Sequence, residues 1–280
     1  MAAVGNTKKT RGRPRATAHG EKSGNTVQAV DRAFQLLRNI AEAQEATLTE
    51  ISLNAGMAPS TAHRLLMTMQ NHHLVAFDES NQHWQIGVEA FRIGSAFLRR
   101  TKVVDEGRPF MRDLIENTGE TSNLAIMDDG QVVFISQIET PAAIRASFPS
   151  GTRAAMHSSG IGKALLAELS REKVQAILQK NGLPSFTPNT ITSATALFAD
   201  LEEIRQRGWS IDNEERTVGM RCIAAAIFNE YGEPVAGISI SGPTARLTDE
   251  KLGEFAPLVK RMADKVTLAI GGMIPDHGSS

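Results

Sequence analysis

One cysteine in 280 residues leaves no pair from which an internal disulfide could be built, and this fits a reducing compartment, the cytoplasm. No apolar run approaches 18 residues, so no membrane-spanning helix is expected. The N-terminus has no apolar core segment, so no secretory signal is expected either. Catalytic signatures are also missing. Gly160-Ile161-Gly162-Lys163 looks like the end of a phosphate loop, but its first glycine would fall at His157, and Ala164 stands where a magnesium-binding hydroxyl is needed. Ser239 lies outside a G-x-S-x-G pattern, and Pro243 follows too soon for a supporting helix. His72, His73, His83 and His157 lack metal-ligand spacing with Cys222. No catalytic residue, metal or cofactor is therefore expected. What remains, 41% hydrophobic and 22% charged, is a chain with room for two domains.

The stretch from Thr47 to Gln70 is the most informative. Thr47 and Glu50 have capping-box spacing, so a helix can start there, and Gly56 suits the left-handed position that ends it. Pro59 fits the first turn of a second helix, in which Ala62, Leu65, Leu66 and Met69 form one apolar stripe. Pro59, Ser60, Thr61, His63, Arg64 and Thr68 are left for the outer face, where short hydroxyls and an arginine can reach phosphates and base edges. Leu74–Phe77 and His83–Ile86 then read as strands around the turn cluster Asp78-Glu79-Ser80-Asn81. Two helices followed by a hairpin make a winged helix-turn-helix, a reader of double-stranded DNA.

Charge along the chain is uneven. Residues 1–25 carry six basic residues against Glu21 alone and little to bury, the composition of a disordered basic arm. Within it Arg11, Arg13 and Arg15 form an Arg-Gly-Arg-Pro-Arg element suited to a narrow A·T minor groove. Residues 26–87 hold three arginines against six acids, so phosphate attraction would lean on the arm and on Arg99, Arg100 and Lys102.

Around this reader, Val27–Ile40 reads as a supporting helix and Gly87–Arg100 as an amphipathic linker helix. The expected division is an arm (1–25), a DNA-binding domain (26–87), a linker helix (88–102), an effector-binding domain (103–272) and a tail (273–280). In the long domain helices are expected at Asp105–Thr118, Gly160–Leu169, Arg171–Asn181, Ala194–Gly208 and Lys251–Ile270. Strands are expected at Ser122–Met127, Gln131–Ile138, Ile144–Phe148, Trp209–Asp212, Cys222–Asn229 and Val235–Ser241, with Asp128-Asp129-Gly130 as a hairpin turn. The class is α+β.

Several of these segments resemble the IclR-type transcriptional regulators. They are Val30-Asp31-Arg32-Ala33, Arg64-Leu65-Leu66, Trp84-Gln85-Ile86-Gly87, Gly160–Ala167, Glu214-Glu215, Arg221–Ala225 and Ile238–Pro243, in order across roughly residues 26–272. The resemblance implies a winged helix-turn-helix domain joined to an α/β, GAF-like effector domain, assembled as a homodimer or dimer of dimers (a homotetramer), with no membrane partner. It is strongest to members that sense small 2-oxo acids, glyoxylate or pyruvate; the alternative effector is an aromatic or larger organic acid. The ligand residues it implies are Gly160, Ile161, Asp212, Cys222, Ser239 and Ser241. Ala146 and Ala154 stand where related sensors often carry larger apolar groups. The chemistry suits an anion: Gly160 and Ile161 open a helix, and Ser239 and Ser241 share one strand face. Asp212 could accept from a hydrated aldehyde, and Cys222 could form a small polarisable wall. Binding would act on DNA affinity through Gly87–Arg100.

Overall fold

The computed structural model describes residues 27–100 and 102–276, in two compact units that divide between Ser95 and Ala96. In the first unit α1 (Gln28–Ala43) is followed by β1 (Glu45–Thr47), α2 (Leu48–Asn54) and α3 (Pro59–Asn71). A hairpin of β2 (Val75–Asp78) and β3 (His83–Ile86) comes next, and the strands order β1-β3-β2. The capping box forms as expected. Thr47 Oγ1 accepts the Glu50 N–H at 3.3 Å, and Glu50 Oε2 accepts the Thr47 N–H at 2.8 Å. At the other end Gly56 takes φ +60°, the Met57 N–H donates to Ser52 O and the Gly56 N–H to Leu53 O, the two bonds of a Schellman stop. That stop aims α3, which starts on Pro59. Leu36, Ile40, Ile51, Ala62, Leu66 and Trp84 close the core, with Leu65 half-buried at its edge. β1 carries no sequence signal because three residues are too few for a period.

The second unit is built on one antiparallel sheet. After α4 (Val88–Arg100) come α5 (Lys102–Thr118), β4 (Thr121–Asp128), β5 (Gln131–Ile138) and β6 (Arg153–Ala155). A 3-10 turn (Met156–Ser158) leads into α6 (Gly160–Ala167), α7 (Arg171–Asn181) and α8 (Ala194–Arg207). β7 (Ser210–Asn213), β8 (Met220–Phe228), β9 (Pro234–Pro243) and α9 (Asp249–Ala269) complete it, in the strand order β6-β5-β4-β9-β8-β7. Alternation along the central strands splits the interior in two. Ile223, Ile238 and Ile240 pack against α5 and α9, through Met111, Leu114, Phe255 and Val259. On the opposite face Ala224 and Ala226 pack under α6, α7 and α8, with Ile161, Leu165, Val174 and Leu197.

One expected strand is absent. Ile144–Phe148 is irregular, because the β5 edge it would need is taken: the Gly151 N–H donates to Phe134 O, the Phe134 N–H to Thr152 O, and β6 continues the ladder. Phe148 instead stacks on Phe134 at 4.7 Å. Among the described residues no helix is long and apolar enough to cross a membrane.

Candidate functional site

β9 sits between β4 and β8, and its register sets the site. Ser239 lies opposite Ala224 on one side and Asn123 on the other; Ser241 lies opposite Cys222 and Thr121; Cys222 in turn lies opposite Asp212 on β7. The Asn123 amide donates to both serine hydroxyls at 3.4 Å, and the Gln137 amide rests 2.8 Å from Asn123. All four of Asn123, Ser239, Ser241 and Asp212 are buried.

The N-terminus of α6 lies over this floor, held by the Ser210 hydroxyl donating to Gly160 O at 2.6 Å. Ser159 caps the helix by accepting the Gly162 N–H, and the first ladder bond runs from the Lys163 N–H to Ser159 O. The N–H groups of Gly160 and Ile161 come before that bond, at the positive end of the helix dipole. A Cβ on Gly160 would stand 2.8 Å from the Cys222 sulfur. Any side chain there would have to push the Cys222 sulfur aside.

Electrostatics distinguish the polar groups. Burial pushes the Cys222 thiol up to about 12, with the Asp212 charge acting in the same direction, so it stays a neutral thiol. Burial, then the neighbouring Glu215 charge, pushes Asp212 up to about 7, although its Oδ1 accepts N–H bonds from Glu215 (2.8 Å) and Arg216 (3.4 Å). An acid whose folded value lies above its unfolded one (3.8) contributes stability that is full below about pH 4 and lost as pH rises through 7. Asp212→Asn should therefore gain on the native protein across that window, by on the order of 1 kcal/mol per pH unit. Urea unfolding at pH 4, 5.5 and 7 measures this; a constant difference would show that Asp212 does not titrate there.

On α6 itself, beside this floor, lies a buried cation that sequence reasoning missed. Lys163 is 2% exposed and pairs with Glu215 at 2.6 Å and Asp200 at 2.8 Å. Thr187 and Thr190 fix the same loop by donating to the carbonyls of Glu214 (2.7 Å) and Glu215 (2.6 Å). A lysine inside the apolar run Gly160–Ala167 was the signal, since such a charge needs buried acids. Ala146 is buried in the irregular segment, and Ala154 lies on β6, three places from β9 in the sheet.

In the first unit Pro59, Ser60, His63, Arg64 and Thr68 are exposed on α3, while Thr61 is half-buried. Thr68 donates its hydroxyl to Arg64 O at 2.9 Å. The Arg64 guanidinium has no partner among the described residues. Arg11, Arg13 and Arg15 lie outside the described residues.

A helix-turn-helix model of the IclR type matches residues 29–79, and the model of the bacterial transcriptional regulator IclR C-terminal domain matches residues 95–268. The chain belongs to the IclR family. The HTH-type transcriptional regulator BhcR of Paracoccus denitrificans is 48% identical over 95% of both chains. The transcriptional repressor IclR of Escherichia coli is 44% identical over 94% of this chain and 97% of its own. The crystal structure of the Thermotoga maritima IclR superposes with a TM-score of 0.73 at 30% identity, covering 86% of this chain and 98% of that one. This IclR-family protein is a DNA-binding transcriptional regulator with a C-terminal effector domain, as its relatives are, and not an enzyme.

Proposed function

We propose that this regulator binds its operator through α3 and that a small 2-oxo acid, glyoxylate first and pyruvate next, controls the affinity from a site between the start of α6 and the β8–β9 face. One observation carries this reading. The start of α6 packs at Cys222 and Ala224, the residues opposite Ser241 and Ser239. The free N–H groups of Gly160 and Ile161 and the two hydroxyls therefore come to one small region, which suits a carboxylate. The near contact of Gly160 with Cys222 leaves little depth, which favours a small acid over an aromatic one. Asp212, with a pKa near 7, meets an anion with less than a full charge, and when protonated it can donate to a carbonyl or hydrate. A homodimer or dimer of dimers is supported by the stripe Val27, Val30 and Phe34, which α1 leaves exposed at 49–66%.

A gel-shift titration of operator DNA with and without glyoxylate tests the proposal; an affinity that glyoxylate and pyruvate leave unmoved defeats it. Arg64→Ala should weaken operator binding by about 1–3 kcal/mol, read by the same titration without ligand. Unchanged affinity would remove Arg64 from the interface. Deleting residues 1–24 should flatten the salt dependence, by about one unit of slope per lost phosphate contact. The same slope with and without them would make that segment a solubilising tail.

A further inference from the structure

A cavity of about 250 Å3 opens between the β4–β5 turn, the 3-10 turn at Met156–Ser158, the end of α7 and the loop after β7. Met156, Ile177 and Phe186 make apolar walls, and no aspartate or glutamate lines it. The Arg216 guanidinium lies 4.5 Å over the Phe186 ring, and the His157 ring faces the same phenyl at 6.1 Å. His157 is held there by donating from Nε2 to Pro184 O at 3.0 Å. Arg145, Arg153, Arg205, Arg221 and Arg246 each hold a carboxylate. Among the described residues the guanidinium of Arg216 holds none. A ring-stacked guanidinium is fixed in plane and keeps its fork of N–H donors, the geometry that grips a carboxylate at two points.

We propose that this cavity is a second ligand site, taking a small monocarboxylate with a flat apolar body: its carboxylate on Arg216, its body against Phe186, Met156 and Ile177. The volume equals that of about eight water molecules in the liquid, room for an acid of benzoate size and for little more. Arg216 also links the two sites. Its backbone N–H bonds Asp212 Oδ1 at 3.4 Å, next to the Glu215 N–H at 2.8 Å, while its side chain faces the cavity. An acid seated on the guanidinium therefore acts on the loop that holds Asp212 and shifts affinity at the first site. That coupling rests on the function proposed above; the cavity does not.

Calorimetry of the full-length protein with sodium benzoate is the test. Wild type should bind, Arg216→Gln should bind at least about tenfold more weakly, and Arg216→Lys, which keeps the charge and loses the fork, should fall between. Arg216 is half-exposed, and a melting temperature near wild type confirms that each variant is folded. Ser241→Ala should bind benzoate as wild type does. Absence of binding to wild type at about 10 mM, equal binding to Arg216→Gln, or loss of benzoate binding in Ser241→Ala each overturns the site. The last outcome would place the acid in the first site. For the coupling, saturating benzoate should change the glyoxylate dissociation constant of wild type, and Arg216→Gln should need at least about tenfold more benzoate for any such change; an unchanged constant in wild type overturns it. Failure of glyoxylate to bind wild type at all defeats the first-site reading and leaves the Arg216 comparison standing.

Discussion

Lys163→Met is expected to destabilise the protein by about 3–5 kcal/mol at pH 7.5, the range for breaking a buried ion pair from one side. Methionine is one atom shorter than lysine and leaves no large void, so the cost is mainly electrostatic. Two carboxylates, Asp200 and Glu215, lose the ammonium that both bind, and Asp212 stands next to them through the Glu215 N–H. Glu215 is poorly placed to absorb the loss. Burial already raises its pKa above the usual carboxylate value, and its second oxygen, Oε2, is buried without a partner. The variant's cheapest relief is to protonate Glu215, so the deficit should shrink towards pH 5. Adding Glu215→Leu should restore part of the stability, because an apolar pair can replace a buried ionic one at little cost. Urea unfolding of the three proteins at both pH values measures this. A loss below about 1 kcal/mol at pH 7.5 would mean that water reaches the pair.

The other large effect concerns binding. Ser241→Ala should weaken glyoxylate by about 1.5–3 kcal/mol, roughly tenfold to hundredfold in dissociation constant, since a carboxylate oxygen loses a charge-assisted donor. The substitution also removes one of the two acceptors that Asn123 holds, so its amide should turn further onto Ser239. Folding should survive, because only a hydroxyl is lost from a polar face. Operator binding without ligand should survive as well, since Arg64 lies in the other unit. Calorimetry with glyoxylate and pyruvate decides the matter. Equal glyoxylate binding to both proteins would put the ligand elsewhere.

Features written in a few neighbouring residues were legible in the sequence. The Thr47–Glu50 box, the Gly56 stop, Pro59 at the head of α3 and the Asp128-Asp129-Gly130 turn each depend on contacts within about six positions, and each forms as the sequence implies. What long-range pairing decides was not legible. Ile144–Phe148 has the alternation of a strand, but the neighbouring β5 edge is already taken by Gly151, Thr152 and β6. Asn123 reads as an ordinary strand residue until the β4–β9 register sets it opposite Ser239, 116 positions away. Lys163 was visible only as a fragment of a phosphate loop, because its partners Asp200 and Glu215 are 37 and 52 residues downstream. Resemblance to a family supplied Ser239, Ser241, Cys222 and Asp212 as a set, which spacing alone could not have assembled.

Within β9, a polar face under α6 and an apolar core face alternate residue by residue. Gly237, Ser239 and Ser241 face α6, while Ile238 and Ile240 are sealed into the core with α5 and α9. A change at an odd-numbered position alters the polar face under α6, the face of the proposed effector site, and opens no void on the other side. A change at an even-numbered one does the reverse. If the proposed site holds, effector preference can drift by single substitutions on that face while the core face stays intact, so the strand is a place where new signals can be acquired without rebuilding the domain.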